Sequence, residues 1–353
     1  MKARTTAARL LIAGALVAAA AGCGSDSKSS SSTTKSSSAT TAATTAAGGS
    51  TAASPAGTTG GGDAGAGITL AVNPWTGSAV NANVAKVVLE SKLNTKVTLL
   101  DIDENATWPG LDAGNIDAVL EVWPSGHAAD VKTYIDEKKS VVKIGLLGPD
   151  AKIGWYVPTA MLKDHPELAT WEGFKKPETA KLFATAESGD KGQFLMGDPS
   201  YVSYDEQIIK NLNLPLKFVV AGSEAALVTA IQTAVKDNSP LLMQFWQPHW
   251  LQSQVALTQV KLPDVTDACL ASAAAADGKY ACDYPVDHLF KAASGKLEAK
   301  NPTAFKFLSK IQLTTDQQNQ IAAMVDGSAG MTPADAAKKW VDANPDIVKS
   351  WLS

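Results

Sequence analysis

The sequence predicts an α/β fold, in which a parallel sheet is flanked by helices and the chain is divided into two units. The first observation is that short apolar runs and amphipathic segments alternate between residues 68 and 120, as in a parallel sheet with crossover helices. The second is that the same alternation returns between residues 194 and 245. The third is size, because 353 residues, 45% of them hydrophobic, can form two domains with their own cores.

The first unit is predicted to contain three strands and two helices. Val84, Val87 and Val88 fall on one face of the first helix, with the spacing of a buried helical stripe. The second helix is short and should end near Gly114. The predicted strands are residues 68–72, 97–100 and 116–120, and the predicted helices are residues 80–92 and 108–114.

The second unit opens after residues 154–158, and a helical tail follows it. Thr332 and Pro333 have the pattern of a helix start, with a capping residue followed by Pro at the first helical position. The predicted strands are residues 194–196, 217–220 and 241–245; the predicted helices are residues 179–183, 204–211 and 225–236, and in the tail 303–311, 315–325 and 332–344.

The first 22 residues have the pattern of a bacterial lipoprotein signal peptide. Basic residues precede an apolar stretch, residues 10–21, that is too short to span a bilayer. Small residues just before Cys23 resemble a lipobox, so we expect a lipid on Cys23; ordinary signal cleavage beside an unmodified cysteine is the alternative. Residues 23–67 are rich in Ser, Thr, Ala and Gly and are predicted to form a disordered tether.

Composition excludes several classes of protein. The formal net charge of −4, without a basic stripe, argues against a nucleic-acid partner. The chain has no Gly-x-Ser-x-Gly elbow, no phosphate-binding glycine loop and no His-Glu-x-x-His motif, so we expect no enzyme activity and no cofactor. No Cys or His pairs lie at zinc-ligand spacing, so we expect no metal. With Cys23 lipidated, Cys269 and Cys282 form an even pair that should be a disulfide after export.

Three apolar runs end in a Trp close to a Pro. The runs precede Trp75, Trp123 and Trp246, and the chain contains 9 Trp against 6 Tyr and 8 Phe. Aromatic residues just beyond buried strands lie where an open α/β sheet binds its ligand. The pattern therefore predicts a shared aromatic site, with core residues that cap the sheet as the alternative.

Several motifs together resemble the substrate-binding proteins of glycine betaine/proline betaine ABC transporters. The resemblance covers residues 68–352 and implies a two-lobed periplasmic-binding-protein-like (type II) fold. Each lobe would be a mixed or parallel sheet flanked by helices, with the ligand in the cleft. Lobe 1 would comprise residues 68–157 and 286–353, and lobe 2 residues 158–285. The motifs are residues 111–118, Trp123-Pro124 with His127, residues 154–158, residues 246–250 and residues 336–345.

The resemblance also implies which residues bind the ligand. Trp123 and Trp246 would be two walls of an aromatic cage and Tyr201 the third, while Trp75 and Trp155 are further candidates. A ligand carboxylate would be held by His127 and by the backbone amides of Val202 and Ser203. His249 is expected to be a structural residue of its turn. Two other groups are assigned no part in binding: Trp108, Trp171, Trp340 and Trp351 as packing residues, and Asp112, Asp117 and Glu121 as solvated or capping carboxylates.

The predicted cage suits a quaternary ammonium group. A trimethylammonium group has no N–H to donate, whereas its diffuse charge is attracted to the faces of aromatic rings. We therefore expect glycine betaine or a related compound as the ligand, with choline, carnitine or another small solute as alternatives. Gly77 lies where relatives that take choline tend to carry an acid, so glycine betaine should bind more tightly than choline.

The resemblance further implies the setting in which the protein works. It would be an exported monomer held on the outer face of the cytoplasmic membrane by its lipid alone. It would deliver its ligand to an ABC permease driven by a cytoplasmic ATPase, in osmoprotection or nutrient uptake.

Overall fold

The computed structural model describes residues 66–327 and 329–353. The predicted signal peptide, the lipid on Cys23 and nearly all of the predicted tether lie outside these residues. Within them, no helix combines the length and apolar character needed to cross a membrane.

The described strands form one hydrogen-bonded sheet in the order β2-β1-β3-β9-β4-β7-β5-β6, with β8 also paired to β4. Strand β1 runs parallel to β2 and β3, and β5 runs parallel to β6 and β7, whereas β9 is antiparallel to both β3 and β4. The strands are β1 Ile68–Val72, β2 Val97–Asp101, β3 Ala118–Val122, β4 Val141–Pro158, β5 Gly192–Met196, β6 Leu216–Val220, β7 Met243–Gln247, β8 Leu257–Val260 and β9 Asp287–Ser294.

The long strand β4 joins two halves of this sheet. Its first part, from Val141 to Ala151, pairs with β9, and its last part, from Lys152 to Pro158, pairs with β7 and β8. We call β2-β1-β3-β9 with the first part of β4 the first half-sheet, and the remaining strands with its last part the second half-sheet. The chain returns to the first half-sheet just after Asp283, which forms an ion pair of 2.8 Å with Lys152. The lobe boundaries proposed from the sequence stay a prediction.

Helices flank both half-sheets, and the predicted helix start at Thr332 and helix end at Gly114 are found. Thr332 accepts a hydrogen bond from the Asp335 amide, and Gly114 ends α2 at a φ of 80°. The helices are α1 Thr76–Lys92, α2 Glu104–Ala113, α3 Ala128–Asp130 continued by a π-helix Val131–Glu137, α4 Pro177–Ala180, α5 Asp205–Asn211, α6 Glu224–Asp237, α7 Asp267–Ala275, α8 Leu297–Lys300, α9 Pro302–Lys310, α10 Thr315–Asp326, α11 Pro333–Ala343 and α12 Pro345–Leu352.

The α/β fold is confirmed, but the prediction missed β4, β8 and β9. Glycines and a proline interrupt β4, and Gly145 and Gly148 have φ angles of 117° and 131°, so local sequence indicates turns there. Lys291 is fully buried in β9. Because this residue is charged, the sequence of the strand lacks the continuous apolar pattern of a buried strand. Because β9 is antiparallel to its neighbours, the first half-sheet is mixed rather than parallel.

A disulfide joins Cys269 on α7 to Cys282, with an S–S distance of 2.06 Å. Cys282 is buried in the core of the second half-sheet together with Tyr280 and Tyr284. Trp340 and Trp351 stack on each other in the core beside the first half-sheet, with ring centroids 6.1 Å apart. Both tryptophans are packing residues, as the sequence indicated.

We expect the double variant Cys269→Ser, Cys282→Ser to unfold at a lower temperature than the wild type. A closed loop of this length stabilises a fold by about 3 kcal/mol, mainly by restricting the unfolded chain. Thermal unfolding with and without a reductant measures the effect, and the reductant should not change the variant. An equal melting temperature for wild type and variant would contradict the prediction.

Candidate ligand-binding site

The three strand-end tryptophans meet at one cavity between the half-sheets. Trp75 follows β1 and Trp123 follows β3; these strands are parallel, so their carboxyl ends share one edge of the sheet. Trp246 lies on β7 of the other half-sheet, and each of the three is only 7% exposed. The cavity has a volume of about 440 Å³, open mouth included. It is lined by Trp75, Glu104, Trp123, Gly126, Ile153, Tyr201, Val202, Gln244 and Trp246.

Tyr201 completes the aromatic wall and links the two halves. Its ring stands edge-to-face against Trp75, at 6.0 Å and 76°, and against Trp246, at 5.6 Å and 89°. Its hydroxyl donates to the carbonyl of Pro74 at 3.1 Å. Aromatic pairs prefer such perpendicular contacts, which fix the rings relative to one another.

A buried carboxylate behind the cavity holds two of these indoles. Glu121 Oε1 accepts from the Nε1–H of Trp75 at 2.7 Å and of Trp123 at 3.0 Å. Its other oxygen accepts from Asn81 at 2.6 Å and from Gln318 at 3.3 Å. Burial raises the pKa of Glu121 to about 7, against the lowering effect of these hydrogen bonds. The sequence-based interpretation of Glu121 as a solvated or capping carboxylate was therefore wrong, because all of β3 is buried.

Asp117 was also predicted to be a solvated or capping carboxylate, but it is buried. It accepts from the Thr69 amide at 2.7 Å and pairs with Lys300 at 2.7 Å. It therefore ties β1 to α8 rather than facing water. Asp112 pairs with Lys138 near the surface, as expected.

An acidic side chain, Glu104, lies on the cavity wall. Its Oε1 accepts from the Val202 amide at 3.2 Å, and its Oε2 lies 2.9 Å from His127 Nε2. Val202 and His127 were predicted to hold a ligand carboxylate, but Glu104 already engages both. Sequence analysis missed Glu104, although it follows β2 at the same sheet edge as Trp75 and Trp123.

His127 lies behind this wall rather than in the cavity. Its Nδ1 has two neighbours at 3.0 Å, the Asp130 carboxylate and Trp108 Nε1–H, and it cannot donate to the first while accepting from the second. Burial lowers the pKa of His127, but hydrogen bonds to Asp130 and Glu104 outweigh it and raise the pKa to about 9. The imidazolium form therefore prevails at neutral pH and donates to both carboxylates.

Besides His127, two predicted site residues do not reach the cavity. Trp155 is fully buried in the second half-sheet, where it packs on Phe194 at 4.5 Å and donates to Asp205 at 2.7 Å. The hydroxyl of Ser203 donates to the same carboxylate at 2.9 Å, and Ser203 is absent from the cavity wall. Burial raises the pKa of Asp205 to about 6.

His249 is a structural residue that helps to connect the halves. Its Nδ1 accepts from the Leu251 amide at 3.1 Å, so its Nε2–H donates to Glu224, 3.0 Å away. The other Glu224 oxygen accepts from the amide and hydroxyl of Thr76 at 2.7 and 3.0 Å. Thr76 begins α1 beside the first half-sheet, whereas Glu224 begins α6 beside the second.

Gly77, used to predict a preference for glycine betaine, does not line the aromatic cavity. A Cβ at this position would lie 2.7 Å from Gln318 Nε2 and 3.0 Å from Glu121 Oε2. A side chain at Gly77 would therefore displace the Gln318 amide, which donates to Glu121 behind the two indoles. The structure provides the acidic wall at Glu104 instead.

Comparison with known proteins gives a consistent family and fold. The family described as "Substrate binding domain of ABC-type glycine betaine transport system" matches residues 66–343. A trimethylamine N-oxide-binding protein of Pelagibacter ubique (strain HTCC1062) is 27% identical over 288 residues, which are 79% of this chain and 88% of that protein.

Solved structures agree on the fold. Lactococcal OpuAC complexed with glycine betaine is 20% identical, with a TM-score of 0.62 over 81% of this chain and 99% of that one. An ABC-transporter choline-binding protein complexed with choline is 17% identical, with a TM-score of 0.64 over 81% and 91% of the two chains.

We expect His127 to stabilise the fold below neutral pH and to lose this effect in base. Its pKa is about 9 when folded and about 6.5 when unfolded, so its contribution is complete below pH 6.5 and disappears as pH rises through 9. The difference in unfolding free energy between wild type and His127→Gln should shrink over this window by up to about 3 kcal/mol.

Urea unfolding at several pH values gives this difference. Buried Lys291, whose pKa burial lowers to about 7, makes stability rise with pH over the same range, so only the difference between variants is informative. His165→Gln, a change at an exposed ring near Glu167, is the control. A His127 difference that stays constant between pH 6.5 and 9 would contradict the assignment.

Proposed function

Because this chain belongs to the family of substrate-binding domains of ABC-type glycine betaine transport systems, we propose that it captures a small trimethylammonium compound between Trp75, Trp123 and Trp246. The family consists of solute-binding proteins of ABC transporters and not of enzymes. The observation that carries the proposal is the convergence of three indoles and the Tyr201 ring on one cavity with an acidic wall.

The binding free energy expected at this site is of the size that a transport ligand requires. Each desolvated cation–π contact contributes about 2 kcal/mol, so three walls provide roughly 6 kcal/mol. Binding in the micromolar range requires about 8 kcal/mol, and burial of the methyl groups supplies the remainder. No hydrogen-bond donor on the cation is required.

The acidic wall favours ligands without a carboxylate. The carboxylate of glycine betaine would face Glu104, and like charges at close range repel each other. Choline carries the same cation, and its hydroxyl can donate to Glu104. We therefore propose that choline-like cations bind more tightly than glycine betaine, which reverses the order expected from Gly77.

Trimethylamine N-oxide is the second candidate, supported by the relative that is named for this ligand. It carries three methyl groups on a positive nitrogen and has no carboxylate. Its oxygen accepts hydrogen bonds only, so the Val202 amide would have to donate to it instead of to Glu104. Carnitine, which carries a carboxylate, would meet the same repulsion as glycine betaine.

The cellular setting that we propose is the one that the family resemblance implies. We propose an extracytoplasmic monomer, lipid-anchored through Cys23, that delivers its ligand to an ABC permease driven by a cytoplasmic ATPase. Osmoprotection and nutrient uptake are both compatible with a trimethylammonium ligand.

We expect Trp123→Ala and Trp246→Ala each to weaken choline binding by about 1–3 kcal/mol, because a cation–π wall and its apolar area are lost together. Calorimetric titration of the purified protein with choline, trimethylamine N-oxide and glycine betaine measures this loss. Trp340→Ala is the control: this core residue should lower the unfolding temperature and leave affinity nearly unchanged. An equal loss of affinity in all three variants would refute the cage.

We expect wild-type protein to bind choline at least about tenfold more tightly than glycine betaine, a difference of about 1.4 kcal/mol. Glu104→Gln should narrow this ratio, because the amide removes the charge while its oxygen can still accept from the Val202 amide. Asp130→Asn is the matched control, since Asp130 also contacts His127 but does not line the cavity. Tighter binding of glycine betaine than of choline by the wild type would exclude this role of Glu104.

A further inference from the structure

The four donors around Glu121 come from four parts of the fold. Its oxygens accept the indole N–H groups of Trp75 and Trp123 and the side-chain amides of Asn81 on α1 and Gln318 on α10. Four donors match the lone pairs of an ionised carboxylate. In the described part of the chain, Glu121 has no cationic partner, so neutral donors alone hold its charge.

The surroundings of Glu121 do not supply a compensating charge. On α6, Glu224 is paired with His249. On α10, Asp326 accepts from Trp250 Nε1–H at 3.1 Å. Burial, and to a smaller extent the charge of Glu224, raises the pKa of Glu121 to about 7. Glu121 can therefore change its charge state near neutral pH, and a bound cation would favour the ionised form.

Two orphan oxygens beside Glu121 indicate that the protonated form also fits. Asn81 Oδ1 and Gln318 Oε1 are buried and have no hydrogen-bond partner among the described residues. Rotation of either side-chain amide would present its oxygen to a proton on Glu121. Loss of the charge therefore need not unfold the site.

The indoles connect this carboxylate to the cavity. Trp75 and Trp123 line the cavity, whereas Glu121 does not. An N–H that donates to an anion is polarised, which increases electron density on the ring, and hydrogen-bonded groups polarise one another in this way. Cation–π attraction depends on the negative ring face, so it should be stronger over indoles that donate to a carboxylate than over indoles that donate to a neutral acid.

We propose that Glu121 is a positioning residue that sets the strength of cation binding through Trp75 and Trp123, so that affinity for a trimethylammonium cation rises as Glu121 loses its proton. This inference rests on the proposed function. By thermodynamic reciprocity, a cation that favours the ionised form must also release part of a proton from Glu121 when it binds.

The test compares choline with its neutral carbon isostere, 3,3-dimethylbutan-1-ol, in the wild type and in Glu121→Gln. In the wild type, choline affinity should rise about fivefold between pH 6 and 8, while the affinity of the isostere stays constant. Titrations in buffers of different ionisation enthalpy should show proton release with choline only. In Glu121→Gln, the pH dependence and the proton release should disappear, and the ratio of choline to isostere affinity should fall about tenfold.

The variant keeps the geometry and changes the charge. The amide oxygen of Gln at position 121 can accept from both indoles, and its NH₂ group can donate to the orphan oxygens. Asp205→Asn is the matched control, because Asp205 is also a buried carboxylate that accepts from an indole, that of Trp155, away from the cavity. It should leave the ratio of choline to isostere affinity unchanged. If the role of Glu121 were purely structural, Glu121→Gln would lower the affinity for choline and for the isostere equally.

The outcomes separate this inference from the proposed function. If the wild type binds choline with the same affinity from pH 6 to 8 and releases no proton, the inference fails and the proposed function stands. An unchanged ratio in Glu121→Gln also overturns the inference. If neither choline, trimethylamine N-oxide nor glycine betaine binds the wild type at any pH, the proposed function fails and the inference fails with it.

Discussion

One buried carboxylate accepts two indole N–H groups, and the geometry of the cavity depends on this contact. Trp75 and Trp123 follow neighbouring parallel strands, and their rings converge because Glu121 offers both the same oxygen. Without that acceptor, each indole would bury an unpaired donor, which costs about 1–3 kcal/mol. Glu121 lies on β3, two residues before Trp123 but 46 residues after Trp75, so this contact joins two separate segments of the chain.

Acidic side chains surround the cavity on several sides. Glu104 lies on the cavity wall, Glu121 lies behind the indoles, and Glu224 begins the adjacent helix α6. Each carboxylate is held by neutral donors or by a histidine, so its burial is compensated locally. The combined field favours a cation in the cavity, and the aromatic faces provide contact without requiring the cation to donate hydrogen bonds.

The surface that forms the cavity is also the surface at which the two half-sheets meet. Tyr201 donates to Pro74, Glu104 accepts from Val202, and Glu224 accepts from Thr76, each across this junction. These contacts involve residues next to the cavity or in its wall. A ligand between the indoles would therefore lie among the contacts that join the two halves.

The sequence by itself determined the α/β class, most helices and parallel strands, the aromatic identity of the site and the cysteine pair. These features are encoded locally, by apolar periodicity, by capping residues and by Trp–Pro pairs at strand ends. Strands β4 and β9 were missed because their pairing partners, and not their own residues, make them strands. Gly145 and Gly148 in β4 indicate turns, and Lys291 in β9 is a charged residue in a buried strand.

Only the tertiary structure decided which polar groups face the cavity. His127, Val202 and Ser203 have the right chemistry to bind an anion, but the fold places Glu104 between His127 and Val202 and directs Ser203 towards Asp205. Glu121 has an ordinary sequence context, and its role arises from four donors brought together from the segments after β1 and β3 and from α1 and α10. Such contacts join residues up to 197 positions apart, so no local pattern can specify them.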